Sequence, residues 1–127
     1  MKGATISCNV MIGGHSVVMD NAVVGLGTVI HQHRCIGSYC MVGMGSVVTK
    51  SIRPFMKAYG SPCRVMGINE VGMLRGPFDK DDIETLRRCS WDKLPPKFMI
   101  SVKLWETMEG GTSGVRSEEP KEEDIRQ

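Results

Sequence analysis

The sequence predicts an all-β, left-handed parallel β-helix of the hexapeptide-repeat type, short, followed by a small α-helical C-terminal region. An aliphatic residue recurs at every sixth position without a break: Ile6, Ile12, Val18, Val24, Ile30, Ile36, Val42 and Val48. Four positions after these come Val10, Ser16, Ala22, Thr28, Arg34, Cys40, Ser46 and Ile52, most of them small. Gly13, Gly25, Gly37 and Gly43 directly follow an aliphatic. A period of six is neither the 3.6 of a helix nor the two of a simple strand, and a fixed internal period marks a solenoid.

The period implies a chain coiled into a triangular prism, three hexads to the turn, each aliphatic inside and each small residue where the chain bends inward. Residues 18 apart then stack at about 4.8 Å, the ordinary strand spacing. Ile6, Val24 and Val42 form one interior column, and Ile12, Ile30 and Val48 another. The glycines are expected at tight corners, where positive φ costs them nothing. Arg34 is a misfit in its small slot, and its side chain is expected to escape at an open corner or a subunit interface. Residues 6 to 53 make about two and two-thirds coils, fewer than a repeat array generally needs. The first coil is therefore expected to present an open parallel edge, covered by neighbouring subunits or left by a longer ancestor.

Arg53-Pro54 stops the repeat. The expected organisation is β-helix coils over 1–53, a connecting segment over 54–77 that is turn-rich from Lys57 to Cys63, a helical region over 78–108 and a disordered tail over 109–127. Within the third part, Phe78 to Arg88 reads as a helix, with acids in its first turn and arginines in its last, as the helix dipole favours. A second helix is expected around Lys97 to Met108, after Pro95-Pro96. The Gly, Ser, Glu and Lys of the final stretch offer almost nothing to bury.

Composition narrows the function classes. A net charge of +2 without a dense basic run argues against nucleic acid or an anionic membrane as partner. No apolar stretch approaches a membrane span and no leader is evident, so a cytoplasmic location is expected. Five cysteines with no Cys-x-x-Cys pair fit free thiols better than a disulfide framework or a zinc site. Ten Met and 15 Gly against seven Phe, Tyr and Trp suit a core of small and aliphatic side chains.

Four segments carry more specific information. Gly14-His15, Thr28-Val-Ile-His31-Gln32, the stretch from Gly60 to Asn69, and Gly72-Met-Leu-Arg75-Gly-Pro-Phe78 followed by a helix resemble the UDP-N-acetylglucosamine O-acyltransferases of lipid A biosynthesis. That family carries Gly-His, Val-His-Gln-Phe and Asn-x-x-Gly-Leu-x-Arg-x-Gly-Phe at the same spacings. The resemblance covers roughly residues 6 to 90, and the Asn69 to Phe78 segment separates it from generic hexapeptide acetyltransferases.

The resemblance implies acyl transfer from acyl carrier protein to a UDP-sugar by a homotrimer with clefts between subunits, without a cofactor. By position, Gly14 would supply a backbone N–H to the oxyanion of the tetrahedral intermediate. His15, His31 and Gln32 would line the cleft. Asn69 and Arg75 would contact the nucleotide, the guanidinium fork matching phosphate oxygens. Met44 would close the bottom of the acyl groove and shorten the chain accepted.

The departures from the family pattern are equally specific. The family's general base is a His followed by Asp one to two coils before Gly-His, a place that by spacing would precede Met1. The Phe after His-Gln is His33, and the second of the paired arginines is Gly76. Three readings follow: an acyltransferase; a non-catalytic β-helix oligomer or nucleotide-sugar-binding remnant, favoured by the missing His-Asp; and a metal-dependent lyase on the same scaffold. The last draws on His15 and His33 stacking 18 residues apart beside His31, but no third ligand with a carboxylate partner is evident, so no metal site is assigned.

Overall fold

Each hexad folds as a two-residue strand followed by a corner, the outward residue first and the aliphatic second. In the computed structural model, which describes residues 3–110, these strands are β1 (Thr5–Ile6), β2 (Met11–Ile12), β3 (Val17–Val18), β4 (Val23–Val24), β5 (Val29–Ile30), β6 (Cys35–Ile36), β7 (Met41–Val42) and β8 (Val47–Val48). Parallel pairing joins residues 18 apart: Ile6 with Val24, Ile12 with Ile30, Val18 with Ile36, and Val24 with Val42. The prism's first face carries β1, β4 and β7, its second β2, β5 and β8, its third β3 and β6. About three turns result.

The inward aliphatics Val18, Val24, Ile30, Ile36, Val42 and Val48 are all buried. Ile12 remains 42% exposed and its neighbour Met11 68% exposed, since among the described residues no coil stacks beneath β2. Polar residues in the small slots are spent on the neighbouring coil: Thr28 Oγ1 donates to the Gly43 carbonyl and Ser16 Oγ to that of His31.

Two details of the periodic reading need correction. Gly13, Gly25, Gly37 and Gly43 do not supply positive φ; that conformation falls on Gly3, Asn9, His15, Asn21, Gly27, His33, Tyr39 and Gly45, itself a strict six-residue ladder. Asn and His are among the non-glycine residues that tolerate it best. The four glycines answer to proximity instead. A Cβ on Gly25 would lie 2.6 Å from the Met44 nitrogen, and one on Gly13 only 2.4 Å from that of Gln32. Gly25→Ala should therefore cost about 2 kcal/mol of unfolding free energy, since backbone cannot yield as a side chain does. Gly14, with nothing within 4 Å of its would-be Cβ, should tolerate alanine within about 0.5 kcal/mol. Urea denaturation of both variants measures the contrast.

The second correction concerns Ile52, which occupies an inward aliphatic place rather than a small slot. It bridges Ile36 sixteen residues away, so the last corner is two residues shorter than its predecessors. The shift carries into β9 (Met56–Tyr59), where Met41 pairs with Lys57 and Val42 with Ala58. The connecting segment 54–77 holds regular elements on either side of a turn at residues 60–63, which falls within the stretch expected to be turn-rich. β9 extends the first face, β10 (Arg64–Ile68) folds back antiparallel to it, and α1 (Glu70–Arg75) follows. This hairpin ends the parallel ladder by reversing its direction.

Two further helices complete the described chain. α2 (Lys80–Arg88) opens on a capping box in which Asp79 and Asp82 each accept from the other's backbone N–H. After a short 3₁₀ turn, α3 (Pro96–Gly110) lies against β6 on the third face, where Trp105 joins Met19 and Cys35 and its Nε1–H reaches the Cys35 carbonyl at 3.4 Å. α3 extends past residue 109, where the tail was expected to begin; residues 111–127 lie outside the described residues. The C-terminal end of the prism is closed by rings: Phe55 contacts Tyr39, Phe78 and Phe98 at centroid distances of 6.0, 5.4 and 5.6 Å. The Arg53 guanidinium sits 4.7 Å from the Trp91 ring centroid.

Two thiols lie within this packing. Burial pushes Cys35 and Cys40 up to about 12, so the folded state keeps both protons where the unfolded chain, titrating near 9, loses them. Their stabilisation is complete below about pH 9 and declines as pH rises above it. The melting temperature should therefore fall progressively from pH 9 to 11, and less so in Cys40→Ala, once that variant's own cavity cost at pH 7 is subtracted.

Candidate functional site

The expected site residues occupy three separate places in one chain. Gly14, His15, His31 and Gln32 lie at the corner between the second and third faces, all exposed. His15 and His33 occupy left-handed positions of successive coils, and their rings stack at 5.1 Å with an interplanar angle of 4°. Their backbone duty as corner residues accounts for that stack without a ligand. The Gly14 carbonyl accepts from the His33 N–H at 3.0 Å, while the Gly14 N–H makes no backbone hydrogen bond among the described residues.

Arg34 fixes this corner. Its Nε donates to the Thr49 carbonyl at 2.6 Å and its Nη1 to the carbonyls of Gln32 and His33 at 3.0 and 3.3 Å. Ser16 takes the His31 carbonyl at 2.8 Å. Successive carbonyls that would otherwise need water are thus held by protein donors, and the backbone carrying His31, Gln32 and His33 is pinned. The periodic reading saw Arg34 only as a misfit.

Met44 stands at the opposite corner, between the first and second faces, and is 74% exposed. Around it runs an apolar strip: Leu26 in the same corner row, Val23 and Met41 on the first face, Val29 and Met11 on the second, all exposed. Among the described residues, α3 lies over the third face and α1 stands beside the first.

Asn69 and Arg75 do come together, in a groove of about 640 Å³ on the outer side of the first face. Val23 and Met41 form part of its floor, α1 one wall, and Lys57 and Arg87 add two cations that the sequence alone did not indicate. Asn69 is 5% exposed and engaged at both ends. Its Oδ1 accepts from the Gly72 N–H, capping α1, and its Nδ2 donates to the Tyr39 carbonyl at 2.8 Å. Gly72 is required because a Cβ there would lie 2.2 Å from Asn69 Nδ2. At Gly76 a Cβ would lie 2.7 Å from the Tyr39 ring, so packing there excludes a side chain. Arg87 is neutralised by Glu70 and Glu84.

Among the described residues, no three His, Cys, Asp or Glu side chains converge to hold a metal ion, and no described ion pair involves a histidine. No helix among them is long and apolar enough to cross a membrane.

Comparison with known proteins agrees with the resemblance carried by the motifs. The model of UDP-N-acetylglucosamine O-acyltransferase domain 2 matches residues 52–90. An acyl-[acyl-carrier-protein]–UDP-N-acetylglucosamine O-acyltransferase of Sinorhizobium fredii is 37% identical over 84 residues, 66% of this chain and 31% of that protein. The protein of the same description from Aliivibrio salmonicida is 35% identical over 81 residues, 64% of this chain and again 31% of its own length. The chain thus spans about a third of the length of these curated relatives. Among solved structures, the UDP-N-acetylglucosamine acyltransferase of Arabidopsis superposes with a TM-score of 0.68 at 23% identity, covering 90% of this chain and 48% of that one. The UDP-N-acetylglucosamine O-acyltransferase of Moraxella catarrhalis gives 0.69 at 23% identity, covering 92% and 50%. These structural likenesses concern the fold, a left-handed parallel β-helix with C-terminal helices.

Proposed function

We propose, from the premise that this chain carries coils, hairpin and helices shared with the UDP-N-acetylglucosamine O-acyltransferases, that it forms part of a site for acyl transfer from acyl carrier protein to a UDP-sugar, as used in lipid A biosynthesis. The observation that carries the reading is the separation of the site residues within one chain. The Gly14 to Gln32 corner, the exposed Met44 and the Asn69–Arg75 groove become one site only if a second copy brings its corner to the first copy's groove. Two prism faces with exposed apolar residues support such an assembly, since contiguous apolar surface of this kind marks an interface. Pairing one face with a different face of the next copy closes a ring, here a homotrimer. In this reading the chain works in the cytoplasm and needs no cofactor.

Each group has a defined task. The attacking sugar hydroxyl adds to the thioester carbonyl, the Gly14 N–H donates to the oxyanion that forms, and collapse of the adduct breaks the C–S bond and releases the carrier's thiolate, which takes up the proton given up by the hydroxyl. His15, His31 and Gln32 line the acceptor side, Met44 limits the acyl chain, and Arg75 meets the phosphates. The hydroxyl proton needs a base, and none of the three histidines has a described carboxylate to orient it. The chain is therefore expected to bind UDP-N-acetylglucosamine in calorimetry and to form no acylated sugar with acyl-acyl carrier protein. Turnover abolished by His15→Ala or His31→Ala would instead establish a complete catalytic site. Absence of nucleotide-sugar binding would leave only an oligomeric scaffold.

A further inference from the structure

Of the two cations in the groove beside α1 that the motifs do not account for, Lys57 is the one that no described ion pair engages. Lys57 stands on β9 at the end of the outward row Thr5, Val23, Met41, the other members of which are uncharged. It reaches this place only because the last corner is two residues short, which moves the row from the eighteenth to the sixteenth residue after Met41. The same groove receives Arg75 from the last turn of α1. Of its three cations, Arg87 is already matched by Glu70 and Glu84. No described ion pair engages Lys57 or Arg75. Two uncompensated positive charges therefore face one concave volume of about 640 Å³ over an apolar floor. Surface lysines normally lie apart and in water; a pair converging on one groove favours a ligand with at least two negative charges close together.

We infer that Lys57 is the second anion-binding residue of this groove, acting with Arg75 to hold the diphosphate of a nucleotide sugar. The assignment rests on the nucleotide-sugar reading above. The ammonium serves one phosphate as a point charge and the guanidinium fork the other, while Asn69, fully engaged in capping α1, shapes the wall.

Calorimetric titration of the full chain with UDP, uridine and inorganic pyrophosphate separates the elements of this assignment. Lys57→Ala should weaken UDP about tenfold, leave uridine unchanged, and do so less at high salt, where the charge is screened. Lys57→Arg should retain most of the affinity. If Arg75→Ala weakens UDP while Lys57→Ala does not, the role of Lys57 is overturned and nucleotide-sugar binding stands. If Lys57→Ala weakens uridine equally, the lysine shapes the groove instead of binding phosphate, and the inference again falls. Should the wild-type chain bind pyrophosphate through Lys57 but not UDP-N-acetylglucosamine, the diphosphate site is supported and the nucleotide-sugar reading fails. Binding of none of these probes overturns both.

Discussion

Phe55→Ala should lower the unfolding free energy by about 3–5 kcal/mol, the largest stability loss of any single truncation in the chain. Phe55 is completely buried and contacts Tyr39, Phe78 and Phe98, three of the six other aromatic residues. These rings seal the prism where the parallel ladder ends, so the cavity would open between two bodies, the coils and the helices, that cannot collapse onto one another. Phe55 also has a φ of +71°, which alanine relieves no better than phenylalanine. Phe55→Leu, which refills much of the volume, should recover about half the loss. Urea titration followed by tryptophan emission measures this directly, because Trp91 and Trp105 both lie in the helical part. A loss below about 1 kcal/mol for the alanine variant would mean that the ring cluster does not hold the two parts together.

The second large effect is expected from Asn69→Asp. The substitution keeps an oxygen for the Gly72 N–H but replaces the Nδ2 donor with a second oxygen facing the Tyr39 carbonyl. At 5% exposure the carboxylate would be buried with one oxygen set against the Tyr39 carbonyl and the Gly72 N–H as its direct donor, costing about 3 kcal/mol at pH 7. Its pKa in the folded state would rise above the unfolded value, since protonation both removes the charge and restores a donor toward Tyr39. The deficit should therefore shrink as pH falls toward 5, whereas that of Asn69→Ala, about 2 kcal/mol, should not change with pH. Stability curves at pH 5 and 7.5 distinguish the two. A pH-independent Asp variant would show that Asn69 does not make the contact described.

The β-helix was legible in the sequence because its code is local and repeated. One aliphatic in six, always followed by a corner, leaves no helical or simple strand alternative. What the repeat concealed was its own failure. Ile52 fits the small slot by counting and the aliphatic place by pairing, and only the pairing with Ile36 reveals that the final corner is short. With that phase lost, no extrapolation of outward rows could place Lys57 beside Arg75.

The glycines show a similar limit. Gly25 and Gly27 look interchangeable in sequence, yet one is needed for the approach of the next coil and the other for a φ of +67°. Asn69 and Gly72 were recognisable as a motif, but their structural task, a cap folded over a residue with no side chain, required the geometry. The expected site residues could be named by motif, but their distribution over three places could not, because which corners share a face depends on the whole coil.

The central claim, that the site is assembled between copies, can be tested by mixing two defective chains. His31→Ala disables the corner and Arg75→Ala the groove, and each alone should lose binding of UDP-N-acetylglucosamine. If corner and groove come from different copies, denaturing the two variants together and refolding them should restore binding at about one interface in four, the random share that pairs an intact corner with an intact groove. Binding no better than either variant alone, in a mixture shown to have exchanged subunits, would place both halves in the same chain and contradict the account.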